Sequence, residues 1–257
     1  MSTYYQNKMN YGLCDLSIVG IRSEPSDKSE LISQILYGEC FKLIEKQKKW
    51  SRIKLFYDDY EGWIDNKQYR NIDEKTYIEI TNQTELFSSD LISFVTKNNQ
   101  LQPIVLGSIL NSCSYLKNEY NGGEINVKKI TREQILKIAM LYINSPYLWG
   151  GKTPFGIDCS GFTQMVYRLN RIKLNRDASQ QAIQGKLVQY NLEREPGDLA
   201  FFQNESGKII HVGILFEKNK IIHAHGKVRI DLLDDNGIYN IDSKNYTHKL
   251  KFVKTHF

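Results

Sequence analysis

The sequence has no long apolar run, no cysteine pair of the CxxC kind and no basic stripe, and each absence excludes a class of protein. No stretch of its 257 residues approaches the roughly 18 apolar residues that a membrane-spanning helix needs. Four cysteines are too few for a disulfide scaffold, and their spacing matches no zinc ribbon: Cys14, Cys40, Cys113 and Cys159. We therefore expect no membrane span, no metal and no cofactor.

The first residues, MSTYYQNKMNYG, also lack the apolar core of a secretion signal. On that ground we expect a cytoplasmic protein, or an exported one if a signal has been removed from the sequence.

Positive charge is in slight excess, but it is not concentrated anywhere. The chain has 34 Lys and Arg residues against 29 Asp and Glu residues, and the two signs are interleaved. A nucleic-acid-binding protein would show a basic stripe or a reader motif, and this sequence has neither. With 41% hydrophobic and 25% charged residues, the composition is that of an ordinary globular protein. We expect a monomer with no nucleic-acid partner.

The first part of the chain alternates short apolar or β-branched runs with turn residues, which is typical of an all-β unit. Turn signals lie at Pro25–Asp27, Gly38 and Asp58–Asp59. The runs predict five strands, at Leu16–Ile21, Ile32–Leu36, Cys40–Glu45, Trp50–Phe56 and Tyr60–Ile64. Five short strands at regular spacing favour a small barrel, to which we assign residues 1–72.

The next segment has weaker signals. Tyr77–Thr81, Leu91–Val95 and Ile104–Leu110 are the plausible strands, and Asn98–Gln102 is a turn. We predict a second small β-domain over residues 73–127.

The pattern changes to a helical one near Thr131. Thr131 and Gln134 resemble a capping box, and apolar residues then follow at helical spacing: Ile135, Ile138, Ala139 and Tyr142. A second helical stripe consists of Phe162, Met165, Val166 and Leu169. Three strands follow, at Asp198–Phe202, Ile209–Phe216 and Lys220–Ala224. Helices followed by an antiparallel sheet make an α+β domain, which we assign to residues 128–257.

Cys159 differs from the other cysteines because it lies in the first turn of the second predicted helix, with Asp158 as candidate N-cap. Backbone N–H groups and the helix dipole at this end favour an anion, so we expect a lowered thiol pKa and a nucleophilic thiolate. Gly161 costs about 1 kcal/mol relative to alanine inside a helix, but it permits another group to approach closely. A buried structural cysteine is the alternative that local context leaves open.

A thiolate needs a proton acceptor, and His211 in the second of the three late strands is a candidate. Alternation places it on one face with Gly213, which leaves that face open. A hairpin with a three-residue loop, or with a bulge, brings both His223 and His225 to the same face. Either could then orient His211, and the hairpin geometry does not choose between them. Taken alone, His211 could also be an exposed strand histidine.

Four stretches of the second half of the chain match, in order, the motifs of one family. YLWGGKTPFGIDCSGF at 147–162 contains the cysteine, and PGDLAFF at 196–202 and HVGI at 211–214 follow. IHA at 222–224 corresponds to the segment that carries a third catalytic residue. Over residues 130–254 the sequence thus resembles the NlpC/P60 cysteine peptidases.

This resemblance implies a papain-like fold in permuted order. It implies Cys159 as nucleophile, His211 as base, His223 as the orienting residue and Tyr147 near the oxyanion site. The family usually has His-Ala-Ser where this chain has His223-Ala-His225, so a second histidine lies close to the expected site.

The first half resembles the bacterial SH3-like domains that precede certain γ-D-glutamyl-L-diamino acid endopeptidases, through Arg22–Pro25, Ser29-Glu30 and Tyr60–Trp63. The second small domain would be SH3-like as well. By this resemblance the substrate-binding residues are Asp158, Ser160, Asp177, Ala178, Glu30 and Tyr60. Of these, Asp177, Glu30 and Tyr60 would bind the substrate ammonium, although surface charge and barrel core are the alternatives for the last two.

The expected reaction is cleavage between D-Glu and the diamino acid of muropeptides with a free N-terminal L-Ala. The expected partner is therefore the L-Ala-γ-D-Glu-diamino acid peptide. Two rival hypotheses are an amidase or acyltransferase that uses the same cysteine and histidine, and a non-catalytic module that binds the cell wall.

Overall fold

In a computed structural model of the protein, the short strands of residues 10–72 pair into one antiparallel sheet. These strands are β1 (Asn10–Leu13), β2 (Ile18–Arg22), β3 (Leu31–Leu36), β4 (Cys40–Lys46), β5 (Trp50–Leu55), β6 (Glu61–Asp65) and β7 (Arg70–Ile72). Their order in the sheet is β3-β2-β6-β5-β4-β1-β7. All five strands predicted for this region are confirmed. The strands β1 and β7 were not predicted, because they have only four and three residues.

The apolar side chains of this sheet form a core cluster that includes Val19, Ile21, Phe41 and Ile53. These residues are almost fully buried because alternate positions of each strand point to the same face. Period-two burial is the physical reason that these strands could be recognised from the sequence.

The segment that follows begins with a helix. Its elements are α1 (Glu74–Thr81), β8 (Phe87–Ser88), β9 (Ile92–Lys97), β10 (Gln100–Val105), a 3-10 turn (Leu110–Ser112), α2 (Cys113–Leu116), β11 (Glu119–Tyr120) and β12 (Glu124–Ile125). The prediction of a strand at Tyr77–Thr81 was wrong. Asp73 caps the helix by accepting the Thr76 N–H at 2.7 Å, and Tyr77 and Ile80, three positions apart, share its buried face.

The chain divides into two units, Met1–Ile125 and Asn126–Phe257. The structure describes residues 10–125, 127, 130–189 and 193–257. In the first unit, Tyr77 and Ile80 share a core cluster with Tyr11 and Leu13. The division into residues 1–72 and 73–127 stays a prediction. Residues 1–9 and residue 128, at two of the predicted domain limits, lie outside the described residues.

The second unit combines three helices with a curved sheet. Its helices are α3 (Arg132–Leu141), α4 (Cys159–Leu169) and α5 (Ala178–Gln181). Its strands are β13 (Lys152–Thr153), β14 (Gly156–Ile157), β15 (Lys186–Val188), β16 (Leu199–Gln203), β17 (Ile209–Glu217), β18 (Lys220–His225), β19 (Lys227–Leu233), β20 (Gly237–Asn240) and β21 (Asn245–Thr255). Both predicted helices are confirmed, and the three predicted strands are confirmed to within one residue at each end.

The large sheet closes on itself. Its order is β15-β21-β16-β17-β18-β19-β20, and β20 also pairs with β21, so the strands β16 to β21 form a ring. The long strand β21 makes this possible because its first half pairs with β20 and its second half with β16. The helix α4 packs on β17 and β18, and each of its residues is buried. This packing brings the start of α4 to the strands that carry the predicted histidines.

Among the helices of the described part of the chain, none is both long and apolar enough to cross a membrane.

Candidate functional site

Cys159 is the first residue of α4, and the cap of that helix holds it in place. Asp158 has an extended backbone, and its Oδ1 accepts the Gly161 N–H at 2.6 Å. Its Oδ2 accepts the Gly150 N–H at 2.8 Å. The predicted N-cap is therefore confirmed, and only 7% of the Cys159 surface is exposed.

A buried arginine, for which the sequence predicts no role, completes this cap. Arg176 is 1% exposed, and its Nη2 lies 2.6 Å from Asp158 Oδ2. Its Nη1 donates to Asp158 Oδ1 and to Ser160 Oγ, both at 3.0 Å. Both carboxylate oxygens of Asp158 thus accept hydrogen bonds from the protein. Binding of substrate by Asp158 and Ser160 stays a prediction.

Gly161 has a steric function. A β-carbon at this position would lie 2.2 Å from the carbonyl oxygen of Gly151. The close approach that the sequence indicated is therefore that of the preceding loop, which packs against the first turn of α4.

The predicted lowering of the Cys159 pKa was wrong. Burial, and then the neighbouring Asp158 carboxylate, raise the pKa of this thiol to about 12. The backbone N–H groups of Val212 and Ser160 and the charge of Arg176 act in the opposite direction, but they do not overcome burial. A low-dielectric site disfavours the charged form of a thiol. At Cys159 this raising of the pKa exceeds the lowering that the N-terminal end of α4 would produce. Cys159 is thus a neutral thiol near pH 7.

His211 and His223 are in direct contact. His211 Nε2 and His223 Nδ1 are 2.8 Å apart, and the two side chains are 4% and 0% exposed. His225, the other candidate to orient His211, is exposed and has no hydrogen bond to it among the contacts of the described residues. Of the two histidines that the sequence left open, the structure brings His223 to His211. The catalytic roles of both stay predictions.

The register of the hairpin places the histidines on one face. Ile214 pairs with Ile222, and the same register continued along β17 sets His211 opposite His225 and diagonal to His223, whose ring is the one that contacts it. The register shifts between Leu215 and Glu217, so of the two predicted alternatives the structure has the bulge and not the three-residue loop. Gly213 does not leave the face open, because a β-carbon there would lie 2.8 Å from the β-carbon of His223.

Asp231 was not found from the sequence. Its Oδ2 lies 3.1 Å from His223 Nε2, and its side chain is fully buried. Arg229 donates to both of its oxygens, from Nε at 2.6 Å and from Nη2 at 2.9 Å. Arg229 also forms an ion pair with Asp242 at 2.9 Å. The contacts thus continue from His211 through His223 to Asp231.

His248 was also missed. Its ring stacks on that of His211, with centroids 4.1 Å apart and an interplanar angle of 25°. Burial, and then the neighbouring histidines, lower the pKa of His248 to about 3 and that of His211 well below its ordinary value. His211 is therefore neutral and able to accept a proton. No group of histidine, cysteine or carboxylate residues in the described parts of the chain has the arrangement of a metal site.

Tyr147 lies close to the cysteine. Burial, and then the electrostatic influence of Cys159 and Asp158, raise the pKa of its hydroxyl. Its backbone N–H donates to Gly226 O at 2.9 Å, which ties this segment to the turn after β18. A phenol with a raised pKa stays protonated and is a hydrogen-bond donor.

Asp177 and Ala178 mark the start of α5. The half-buried Asp177 is the residue before this helix, and its N–H donates to Gln180 Oε1 at 3.2 Å. The buried Gln181 fastens α5 to α4, because it accepts from Thr163 Oγ1 at 2.6 Å and donates to Ser160 O at 2.9 Å. The start of α5 is thereby held beside the first turn of α4.

Glu30 and Tyr60 belong to the first unit. Glu30 is exposed just before β3, and Tyr60 is half-buried against the core cluster of the seven-stranded sheet. The Tyr60 N–H donates to Asp58 Oδ1 at 3.1 Å. Their predicted part in substrate binding stays a prediction.

Two families match the chain. The NlpC/P60 family matches residues 144–247, and the bacterial dipeptidyl-peptidase Sh3 domain matches residues 21–68. The first range contains Cys159, His211 and His223, and the second covers most of the seven-stranded sheet.

Two relatives extend these matches over most of the chain. The chain is 31% identical to a gamma-D-glutamyl-L-lysine dipeptidyl-peptidase of Bacillus subtilis (strain 168), over 75% of this chain and 71% of the relative. It is 26% identical to dipeptidyl-peptidase 6 of Lysinibacillus sphaericus, over 85% of this chain and 90% of the relative.

The fold is that of a solved NlpC/P60 family protein from Bacillus cereus ATCC 10987, with a TM-score of 0.77 and 16% identity. The similarity covers 96% of this chain and 99% of that one. These findings confirm an SH3-like β-rich region followed by an α+β domain of the NlpC/P60 type. The chain belongs to the NlpC/P60 family, and both of its relatives named above are peptidases.

Proposed function

We propose that the protein is a cysteine peptidase that hydrolyses the bond between γ-D-glutamate and the diamino acid of muropeptides with a free N-terminal L-Ala. The observation that carries this proposal is the 2.8 Å contact of His211 Nε2 with His223 Nδ1, beside the helix that begins at Cys159. A nucleophile, a base and a group that orients the base are the parts of such a site.

The first step begins with two neutral groups. Burial disfavours both the Cys159 thiolate and the His211 imidazolium, so a preformed ion pair is not the resting state. Sγ attacks the γ-glutamyl carbonyl carbon while its proton passes to His211. Nδ1 is the ring nitrogen available for this proton, since Nε2 is engaged with His223.

The negative charge then develops on the carbonyl oxygen. Backbone N–H groups at the start of α4 support it, and the Tyr147 hydroxyl, which stays protonated, is a further donor. Donors that are fixed before the reaction stabilise this charge without reorganisation.

Collapse of the tetrahedral intermediate breaks the C–N bond. The proton on His211 passes to the leaving amine of the diamino acid, and the acyl group remains on Cys159 as a thioester. A water molecule then gives one proton to His211 and attacks the thioester carbon. Release of the carboxylic acid returns the proton to the sulfur and restores the neutral pair.

The substrate class rests on the relatives. One relative is named for the γ-D-glutamyl-L-lysine linkage, and the matched SH3 domain is named for bacterial dipeptidyl-peptidases. L-Lysine is therefore the first diamino acid to test. Asp177, fixed beside α4 by the contacts of Gln181, supports binding of the L-Ala ammonium.

The test is mass spectrometry of L-Ala-γ-D-Glu-L-Lys after incubation with the protein. We expect L-Ala-γ-D-Glu and free L-Lys from the wild type, and no turnover by Cys159→Ala, whose far-UV circular dichroism should match the wild type. Cys14→Ala should retain activity, because that residue lies in the core of the seven-stranded sheet. Hydrolysis by Cys159→Ala at the wild-type rate would contradict the proposal.

A further inference from the structure

Three buried side chains form an unbroken row behind the cysteine. His211 Nε2 contacts His223 Nδ1 at 2.8 Å, and His223 Nε2 contacts Asp231 Oδ2 at 3.1 Å. None of the three is more than 4% exposed. His211 Nε2 and both ring nitrogens of His223 therefore have protein partners.

The backbone register fixes this row. His223 on β18 pairs directly with Arg229 on β19, and Ile221 pairs with Asp231. Arg229 and Asp231 are two residues apart and lie on the face of His223. The pairing of β18 with β19 thus places the Asp231 carboxylate beside His223 Nε2, the nitrogen that does not contact His211.

Asp231 is held as an anion. Burial alone would raise its pKa, but hydrogen bonds from His223 and Arg229 outweigh burial and keep the pKa below its ordinary value. The Ile241 N–H donates to its Oδ1 at 3.0 Å. An ionised carboxylate accepts hydrogen bonds and donates none.

The ionised Asp231 determines which ring nitrogen carries the proton in His223 and in His211. Burial keeps His223 neutral by lowering its pKa, and a neutral imidazole has one N–H donor and one acceptor nitrogen. Because Asp231 only accepts, the proton of His223 is on Nε2 and its Nδ1 is an acceptor. His211 must then donate from Nε2, and its lone pair is on Nδ1.

We propose that Asp231 is a positioning residue that acts through His223 to set the tautomer of His211, so that His211 Nδ1 can accept the Cys159 proton. This inference rests on the proposed role of His211 as base. His223 lies between Asp231 and His211, so the effect of Asp231 on the reaction is the choice of which His211 nitrogen is basic.

A purely structural role makes a different prediction. If Asp231 only held β19 through Arg229, an isosteric amide would preserve most of its function. In Asp231→Asn, however, Oδ1 faces two fixed donors, the Ile241 N–H and Arg229 Nη2, whereas Oδ2 faces one, Arg229 Nε, and His223, whose proton can move between its nitrogens. The amide nitrogen therefore takes the Oδ2 position toward His223, at the expense of the hydrogen bond from Arg229 Nε. That nitrogen donates, and it would reverse the donor and acceptor order of both histidines.

The experiment measures the tautomers of His211 and His223 by NMR and the activity by steady-state kinetics. Long-range 1H–15N spectra of the wild type should show the proton on Nε2 of both His211 and His223. In Asp231→Asn the proton should move to Nδ1 in both rings. On L-Ala-γ-D-Glu-L-Lys we expect kcat to fall on the order of 10³- to 10⁴-fold with little change in KM, as when a serine-protease aspartate becomes asparagine.

Asp242→Asn is the matched control. Asp242 contacts the same Arg229 at 2.9 Å from the exposed side, with 77% of its side chain accessible. This variant should keep the wild-type tautomers and a kcat within about threefold, since exposed ion pairs contribute little.

Two outcomes would overturn the inference. One is a wild-type His211 with its proton on Nδ1, a result that needs no variant to fold. The other is Asp231→Asn with reversed tautomers and undiminished kcat. If the wild type has the expected tautomers but does not cleave the peptide, the proposed function is wrong while the tautomer assignment holds.

Discussion

The Arg176 guanidinium and the Asp158 carboxylate form a buried ion pair at the first turn of α4, with Nη2 and Oδ2 2.6 Å apart. Their side chains are 1% and 7% exposed, so neither charge is solvated when the other is removed. We predict that Arg176→Met lowers the free energy of unfolding by about 3–5 kcal/mol, because it leaves the Asp158 carboxylate buried and unpaired. Urea denaturation measures this change.

Two controls distinguish the stability lost with the ion pair from the stability lost with side-chain packing. Arg176→Met combined with Asp158→Asn removes both charges and should recover part of the loss. Lys137→Ala breaks an exposed pair with Glu133 and should cost less than about 1 kcal/mol. A loss for Arg176→Met no greater than that of Lys137→Ala would contradict the prediction.

The pH dependence of Cys159 alkylation follows from its raised pKa. With a pKa of about 12, only a small and pH-dependent fraction of the thiol is ionised near neutrality. The thiolate is the reactive form, so the rate with iodoacetamide should rise about tenfold per pH unit between pH 6 and pH 9. Mass spectrometry of the tryptic peptide containing Cys159 follows the rate, with Cys159→Ala as background for the other thiols.

A different profile would point to another resting state. A rate that stays level between pH 6 and pH 8 would mean that a thiolate–imidazolium pair already exists in the free protein. The pH of half-maximal alkylation would then lie below 6, opposite to the direction that burial imposes on the thiol pKa.

How much of this site can be predicted from the sequence depends on whether its contacts are local. The start of α4 is local: Asp158, Cys159 and the apolar stripe lie within 12 residues and predict a capped helix. The raised pKa of Cys159 is not local, because it depends on burial by β17, which no helix motif reveals.

The histidine row shows the same limit. The alternation of side chains along β17 and β18 is enough to predict that His223 lies on the same face as His211. Asp231 was missed because β19 was not predicted. A turn at Gly226 followed by a strand with alternating side chains would have placed Asp231 on the face of His223. His248 could not be found, since it reaches His211 only through closure of β21 onto β16.

The two histidines of β18 should differ sharply in their effect on catalysis. His223→Ala removes the partner of His211 Nε2, and loss of such an orienting group costs on the order of 10²- to 10⁴-fold in kcat. His225→Ala changes an exposed side chain and should leave kcat within about threefold of wild type. Steady-state kinetics on L-Ala-γ-D-Glu-L-Lys compares the two. A larger loss for His225→Ala would transfer the orienting role to His225.

We expect Asp177 to make the enzyme prefer peptides with a free N-terminal amine over acetylated ones. This half-buried carboxylate precedes α5, which Gln181 fastens to Ser160 and Thr163 at the start of α4. We propose that it binds the α-ammonium of L-Ala. Acetylation of that amine removes the positive charge with which the carboxylate would form an ion pair, and loss of such a pair costs several kcal/mol where it is buried.

We therefore predict that kcat/KM for N-acetyl-L-Ala-γ-D-Glu-L-Lys is on the order of 10²- to 10³-fold lower than for the free peptide. Asp177→Asn should lower kcat/KM for the free peptide and bring the two values together, because an amide does not discriminate between the ammonium and the acetylated amine. Glu30→Gln and Tyr60→Phe, measured in the same way, test whether those residues share the role. Equal kcat/KM for the two peptides in the wild type would mean that the amine is not recognised, and the enzyme would then cleave blocked stem peptides of intact cell wall as readily as free muropeptides.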